Sequence, residues 1–332
     1  MVKTGILSFA SCFAFVSVCF AIQNGDFEQG KEAWNLGPGW SVSPDGGIKD
    51  SQCAKLDYDE KKKWSKISQT LKIEPISYYK LTFDYKADPS GNDMLRLNVP
   101  EDKKQIPGWS SFLLKNEWTK GTFYFYSGDL DKITFSFFLD GKIPEELFID
   151  NVALVKLSKE DCLQKNLIIN PDFEKGMIAW RPYQRWGKLN VNGFVGIDSS
   201  TGCLDGKQCL KLDTSKCDSA KDACAVAHSG LFPVVPGKDY ILQFWAKAEN
   251  MDTPLVAIVD SYITPHIPPH WYKRKSIMLD TSFRRYSMKV AVPDASKYPG
   301  LCRRLVFLKF AIENIKAKVW IDNISFTEEK GK

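Results

Sequence analysis

Histidine is scarce in this chain: three in 332 residues, at positions 228, 266 and 270. The Cys-x5-Cys and Cys-x6-Cys steps between Cys203 and Cys224 come without clustered histidines, which argues against a zinc site. Pro268 and Pro269 preclude a regular helix between His266 and His270, so these two are not a helical metal pair. No Gly-x-Ser-x-Gly elbow or phosphate-binding loop occurs. His228 and Ser229 are neighbours in a strand-like run, where adjacent side chains point to opposite faces, so nucleophilic catalysis has no frame. Charge of one sign is lacking too: 45 basic residues stand against 40 acidic ones. The short run Lys61 to Lys63 is no concentrated basic face, and no nucleic-acid partner is expected. Long amphipathic helices are missing, with only "SAKDACAVA" at Ser219 to Ala227 hinting at a short one.

Long apolar runs are confined to the start. Lys3 followed by "GILSFASCFAFVSVCFA" has the form of a secretory signal peptide, residues 1–21, cleaved after Ala21. A membrane anchor is the rival reading, but serines interrupt the run and a span needs about 20 apolar residues. Lipidation of Cys12 or Cys19 is disfavoured because Val18 is not small and Cys12 lies early. No membrane span is expected after signal removal, and the chain is expected to be secreted, periplasmic or at the cell surface. Disulfides are then the default. Seven cysteines remain, Cys53 in the first half and Cys162, Cys203, Cys209, Cys217, Cys224 and Cys302 in the second. The four from Cys203 to Cys224 are expected to staple one long loop, leaving Cys53 as an odd thiol for a partner.

What is present is a duplication. "NGDFEQGKEAWNLGPGW" at Asn24 to Trp40 and "NPDFEKGMIAWRPYQRW" at Asn170 to Trp186 share eight of seventeen positions without a gap. "SQCAKLDY" at Ser51 answers "KQCLKLDT" at Lys207, and "PISYYKLTFDYKA" at Pro75 answers "PGKDYILQFWAKA" at Pro236. "LFIDNVAL" at Leu147 answers "VWIDNISF" at Val319. The blocks read as strands, since Tyr240, Leu242, Phe244 and Ala246 alternate with Ile241, Gln243, Trp245 and Lys247. The expected fold is all-β, two tandem jelly-roll β-sandwich domains: a first module at 22–157, a linker at 158–165 and a second module at 166–332.

The ordered set Asn-x-x-Phe-Glu-x-Gly with a following Trp, a Cys-x-Lys-Leu strand, a Tyr-x-Leu-x-Phe-x-x-Lys-Ala strand and a closing Ile-Asp-Asn strand occurs twice. It resembles the carbohydrate-binding modules of family 4 and its relatives, over almost all of the chain after residue 21. The resemblance implies a galactose-binding-like sandwich, a structural calcium ion and a concave face that holds sugar.

An acidic motif opens each copy and an Asp closes it. If first and last strands are neighbours, Glu28 meets Asp150 and Glu174 meets Asp322. Carboxylates brought together repel unless protonated or bridged, and Ca2+ would bridge them. The resemblance adds the carbonyls of Asp26 and Asp172 and groups near Asp50 and Asp205 as metal ligands. Two other readings stay open: acids that cap turns or hold backbone amides, and a catalytic carboxylate pair. Trp34 and Trp180 read as core beneath this clasp; Trp40 reads equally as core or rim, as does Trp186.

Sugar rings want flat aromatic platforms edged by polar groups. Trp245, between Gln243 and Lys247 on the non-core face of its strand, supplies one, whereas the first copy has Asp84 there. Tyr262, Trp271 and Tyr272, in the loop-rich "DSYITPHIPPHWYKR", are expected as further site walls, with Trp186 as a candidate rim. Trp64 and Trp109 in the first copy are isolated aromatics. The expected function is a non-catalytic carbohydrate-binding protein whose second module takes a β-linked polysaccharide or oligosaccharide. The alternatives are an accessory part of a glycoside hydrolase and a structural part of a cell-surface assembly.

Overall fold

The computed structural model describes residues 22–57, 65–87, 94–98, 109–140, 146–183, 185–186, 189–190, 192–200, 202–261, 271–294 and 304–329. The leader, Trp64, Tyr262, His266, His270 and Cys302 lie outside the described residues.

Alternation in the sequence becomes alternation in burial. In the strand Asp239–Ala248, Tyr240, Leu242, Phe244, Ala246 and Ala248 are buried, and the five residues between them are half-buried. Such a ribbon covers a core with one face, and two sheets are needed to close it. The first sandwich has sheet I, in the order β1 (Asn35–Leu36), β4 (Lys66–Lys72), β9 (Lys132–Asp140), β6 (Met94–Asn98) and β7 (Trp109–Leu113). Its sheet II runs β2 (Trp40–Ser43), β3 (Cys53–Asp57), β10 (Glu146–Leu157), β5 (Tyr78–Ala87) and β8 (Thr119–Tyr126).

The second sandwich repeats the plan. Sheet III runs β11 (Trp180–Pro182), β16 (Cys224–Ser229), β22 (Leu305–Glu313), β19 (Thr253–Ser261) and β20 (Tyr272–Leu279), with β17 (Phe232–Pro233) also on β22. Sheet IV runs β14 (Phe194–Asp198), β15 (Cys209–Asp213), β23 (Lys318–Glu328), β18 (Asp239–Ala248) and β21 (Arg284–Ala291). A hairpin, β12 (Arg185–Trp186) and β13 (Leu189–Asn190), stands apart. All pairings are antiparallel, and the fold is the all-β one that the alternation predicts. Each sandwich has its own core, around Phe83, Phe135 and Phe137 in the first and Phe244, Phe310 and Leu242 in the second.

The duplicated opening is a turn stitched by its asparagine. Asn24 Oδ1 accepts from the Gln29 amide at 2.9 Å while its Nδ2 donates to the Gly30 carbonyl at 2.8 Å. Asn170 does the same with Lys175 and Gly176, at 3.0 and 2.7 Å. Both asparagines, Phe27 and Phe173, and Ala33 and Ala179 have positive φ. A bulky residue adopts that backbone only when its surroundings over-determine it. Here they do: Phe27 and Phe173 are fully buried, stacked at 4.9 Å on Trp34 and tilted at 5.2 Å against Trp180. Trp34, Trp40 and Trp180 are core residues.

Three expectations fail here. "SAKDACAVA" forms no helix, because its second half is β16, an inner strand of sheet III buried on both faces. The four cysteines do not all staple the loop: Cys203 pairs with Cys209, but Cys217 and Cys224 are buried free thiols. Cys53 is not available to a partner, since it is fully buried in β3 and burial pushes its thiol up to about 12.

The polar 158–165 segment contains a helix, α1 (Lys159–Gln164), closed by a capping box between Ser158 and Asp161. Its Cys162 packs with Tyr78, Tyr126, Val235 and Leu305 where the sandwiches meet. Tyr78 Oη donates to the Val234 carbonyl at 2.8 Å, and the Arg304 guanidinium lies 4.3 Å from the Tyr126 ring centroid.

Candidate functional site

In each sandwich the opening Glu and the closing Asp accept hydrogen bonds from the same loop. Glu174 Oε1 accepts from the amides of Lys207 and Gln208 at 2.8 and 2.9 Å. Asp322 Oδ2 takes the amides of Leu204 and Asp205, at 3.2 and 3.5 Å. In the first copy Glu28 accepts from Gln52 at 2.8 Å, and Asp150 accepts from Ile48 at 3.1 Å and from Ser51 Oγ at 3.3 Å. Asp26 and Asp172 accept from the amides of Glu28 and Glu174, each at 3.4 Å, and Asp205 accepts from Asn323 Nδ2 at 2.9 Å. Asp50 is exposed, with a left-handed backbone, at the end of a 3-10 turn.

Asp322 is fully buried, and burial pushes its carboxyl up to about 6 despite three backbone amides that pull the other way. Burial likewise raises Asp150. Neither has a Lys or Arg ion-pair partner among the described residues. The fit to calcium is partial. Buried, anionic, cation-free carboxylates suit it, but among the described residues no three His, Cys, Asp or Glu side chains come together.

The outer face of sheet IV carries Trp245. It is half-buried, opposite Arg285 on one side and Asp322 on the other, and Gln243 lies between Ser287 and Ser325. One row crosses the sheet through Gly196, Lys211, Trp320 and Lys247. Lys247 Nζ is 4.8 Å from the Phe283 ring centroid and 5.2 Å from that of Trp320. Trp320 Nε1 donates to Asp198 at 2.6 Å, the first cause that pulls this carboxyl down to about 2. Sheet II repeats the row as Lys55, Phe148 and Lys86, with Lys55 Nζ 5.8 Å from Phe148 and Trp118 packed on Phe148 at 6.5 Å. Lysine and aromatic side chains thus already cover one another on this face.

The outer face of sheet III is different. The register places Arg181, His228, Lys309, Ile258 and Arg274 in one row across all five strands. The next row holds Phe307, Asp260 and Tyr272. Arg181 Nε donates to His228 Nε2 at 2.5 Å, and His228 Nδ1 lies 3.2 Å from the Ser229 carbonyl. The imidazole therefore carries its proton on Nδ1. Burial, and then the charges of Arg181 and Lys309, push it down to about 3, so it is neutral at ordinary pH.

Lys309 donates to Asp260 at 2.7 Å, and its ammonium lies 5.1 Å from the Tyr183 centroid and 4.7 Å from that of Phe307. Tyr183 stands edge-on to His228 at 5.3 Å. It also packs on an apolar patch of Cys224, Val226, Val256, Ile258 and Ala311. Arg274 pairs with Glu313. Tyr272 is 59% exposed. Trp271, expected as a site wall, is instead in the core at 6% exposure. Adjacent residues entering a strand face opposite ways, so only Tyr272 turns outward. Trp186 forms the hairpin strand β12, and its side chain lies outside the described atoms, as does all of Tyr262.

No family model matches the sequence, and no curated protein matches it. Solved structures do. The tandem of two family 22 carbohydrate-binding modules from Paenibacillus barcinonensis Xyn10C is 12% identical at a TM-score of 0.34, over 92% of this chain and 96% of that one. A family 16 carbohydrate-binding module is 22% identical at 0.36, over 49% of this chain and 100% of its own. TmCBM61, solved with β-1,4-galactotriose, is 12% identical at 0.33, over 50% of this chain and 100% of its own.

Arg181, Tyr183, His228, Asp260 and Lys309 were not legible as a group. The available signal was alternation: Phe307, Lys309 and Ala311 interleave with Leu308, Phe310 and Ile312, all three in the core.

Proposed function

We propose that the protein is an exported, non-catalytic carbohydrate-binding protein, and that its second sandwich takes a β-linked glycan across the outer face of sheet III. The observation that carries this reading is the set Arg181, His228, Lys309 and Asp260, fixed side by side and flanked by Tyr183, Phe307 and exposed Tyr272. Oriented polar groups beside aromatic surfaces are what a pyranose ring needs. The duplicated family 4-like motifs support the same reading. Asp260 and Glu313 are each paired with a cation, which suits binding better than hydrolysis, where one carboxyl must hold a proton for the leaving group.

A second reading places the glycan on Trp245, Gln243 and Lys247, because Trp245 keeps part of its indole open on sheet IV. An enzyme that acts on the same polymer, or a cell-surface assembly, is the proposed partner. Calcium is proposed as a structural ion at each clasp, where it would neutralise the desolvated carboxyl of Asp322 or Asp150 and draw the rest of its oxygen ligands from the surrounding backbone. Titration of the purified protein with a panel of soluble β-glycans tests the function. Saturable binding to one class without release of reducing sugar supports it; no binding to any glycan, or hydrolysis, overturns it.

A further inference from the structure

Two thiols of the second sandwich converge on one oxygen atom. Cys217 and Cys224 bracket a loop, residues 218–223, in which Asp218, Ala220, Lys221 and Asp222 are exposed, while both cysteines are buried at its feet. Asn192 Oδ1 accepts from Cys217 Sγ at 3.3 Å and from the Cys224 amide at 3.0 Å. The amides of Asn192 and Gly193 in turn donate to the Cys224 carbonyl, at 3.2 and 2.8 Å. Both feet are held in place: the Cys217 amide donates to the Thr214 carbonyl at 3.1 Å, and the Ala223 carbonyl accepts from the Asn314 amide at 2.8 Å. Burial, then the Glu313 charge, push the Cys224 thiol up to about 11, and Cys217 is near enough to add to the effect. A disulfide needs two cysteines that the backbone already holds close. The other buried thiols have no such arrangement, with Cys53 in the first sandwich and Cys162 in α1 between the two.

We propose that Cys217 and Cys224 are an oxidation site, closing into a second disulfide across the base of the 218–223 loop. The oxidant is a disulfide compound of the kind an oxidising compartment supplies. Cys217 is 7% exposed and Cys224 not at all, so Cys217 reacts first. Its thiolate sulfur bonds to one oxidant sulfur, the oxidant S–S bond breaks, and the freed sulfur takes up a proton. The Cys224 sulfur then gives up its proton, bonds to the Cys217 sulfur and breaks the mixed disulfide, releasing the second oxidant thiol. The pair loses two electrons and two protons, and the oxidant becomes two thiols. The second step is intramolecular, which offsets the raised pKa of Cys224. Tyr183 donates its amide to the Val226 carbonyl, so both feet of the β12–β13 hairpin, Tyr183 and Asn192, rest on β16 beside this bond. The site stands independently of the glycan reading.

The test uses the native full chain, reduced and then equilibrated with a mixture of oxidised and reduced glutathione. Remaining thiols are trapped with N-ethylmaleimide in denaturant, and trypsin cuts after Lys216 and Lys221, which leaves Cys217 and Cys224 on separate peptides. The expected result is that mass spectrometry finds these two peptides joined, with Cys53 and Cys162 carrying the maleimide. In a Cys217→Ser variant Cys224 should carry the maleimide too. Maleimide on both Cys217 and Cys224 of the oxidised wild-type chain overturns the inference, as does either of them joined to any other cysteine.

Discussion

Trp245 lies directly across the sheet from Asp322, and Asp84 occupies the same station across from Asp150. One sandwich therefore sets a second carboxylate beside its closing aspartate and the other sets an indole there. Both aspartates are buried, and in both burial opposes ionisation. In the first copy the Asp84 charge adds to that effect, and Lys120, 3.8 Å from Asp84, is the nearby cation. The duplicated clasp is one architecture with two electrostatic solutions.

Calcium is expected to stabilise both sandwiches if it neutralises these acids. A ligand that binds only the native state adds about 2.7 kcal/mol at a hundredfold excess over its dissociation constant. Unfolding temperatures with calcium and with chelator measure this, and Glu174→Gln should abolish the shift of the second transition. Unmoved transitions in the wild-type protein would leave the acids as amide anchors only.

Asn170→Ala removes two side-chain hydrogen bonds and places alanine at a φ of 51°. Each lost bond costs about 1 kcal/mol and the left-handed backbone about another. The second sandwich should lose roughly 2–4 kcal/mol, read by denaturant unfolding, and Asn24→Ala should do the same to the first. Asn170→Gly should recover the backbone part alone.

His228 gives the pH dependence its sign. Its folded pKa, about 3, lies below the ordinary 6.5, so the folded state favours the neutral ring. That contribution is fully present above pH 6.5 and is lost as pH falls towards 3. It amounts to roughly 4–5 kcal/mol over the whole window. His228→Gln should flatten this part of the acid profile, and urea unfolding at pH 7, 5 and 4 compares the two proteins. Parallel profiles would mean that the imidazole is not held neutral.

Strand periodicity was legible because Tyr240, Leu242, Phe244 and Ala246 follow one another at strict two-residue spacing above a core. β16 was legible only at its end, where His228 and Ser229 read as strand; its alanine-rich start, buried on both faces, has no period to read and hinted at a helix. α1 escaped for a different reason: it is six residues long, and its evidence is the Ser158 to Asp161 capping box rather than an apolar stripe. The sheet III cluster draws Arg181, His228, Asp260 and Lys309 from four strands. Their meeting depends on which strands pair and in what register, and no local spacing encodes that.

The two candidate faces make opposite claims about two aromatic residues. If the glycan lies on sheet III, Tyr272→Ala removes an exposed platform and should weaken binding by about 1–3 kcal/mol, five- to a hundredfold. Trp245→Ala should then leave affinity intact while altering the surroundings of Asp322, seen as a change in the calcium-dependent unfolding shift. If the glycan lies on sheet IV, the order reverses, and Trp245→Ala carries the loss. Neither residue belongs to the buried alternate of its strand, so both variants should fold. Titration of the two variants with whichever glycan the wild-type protein binds separates the faces, and a loss confined to Trp245→Ala would remove the site from sheet III.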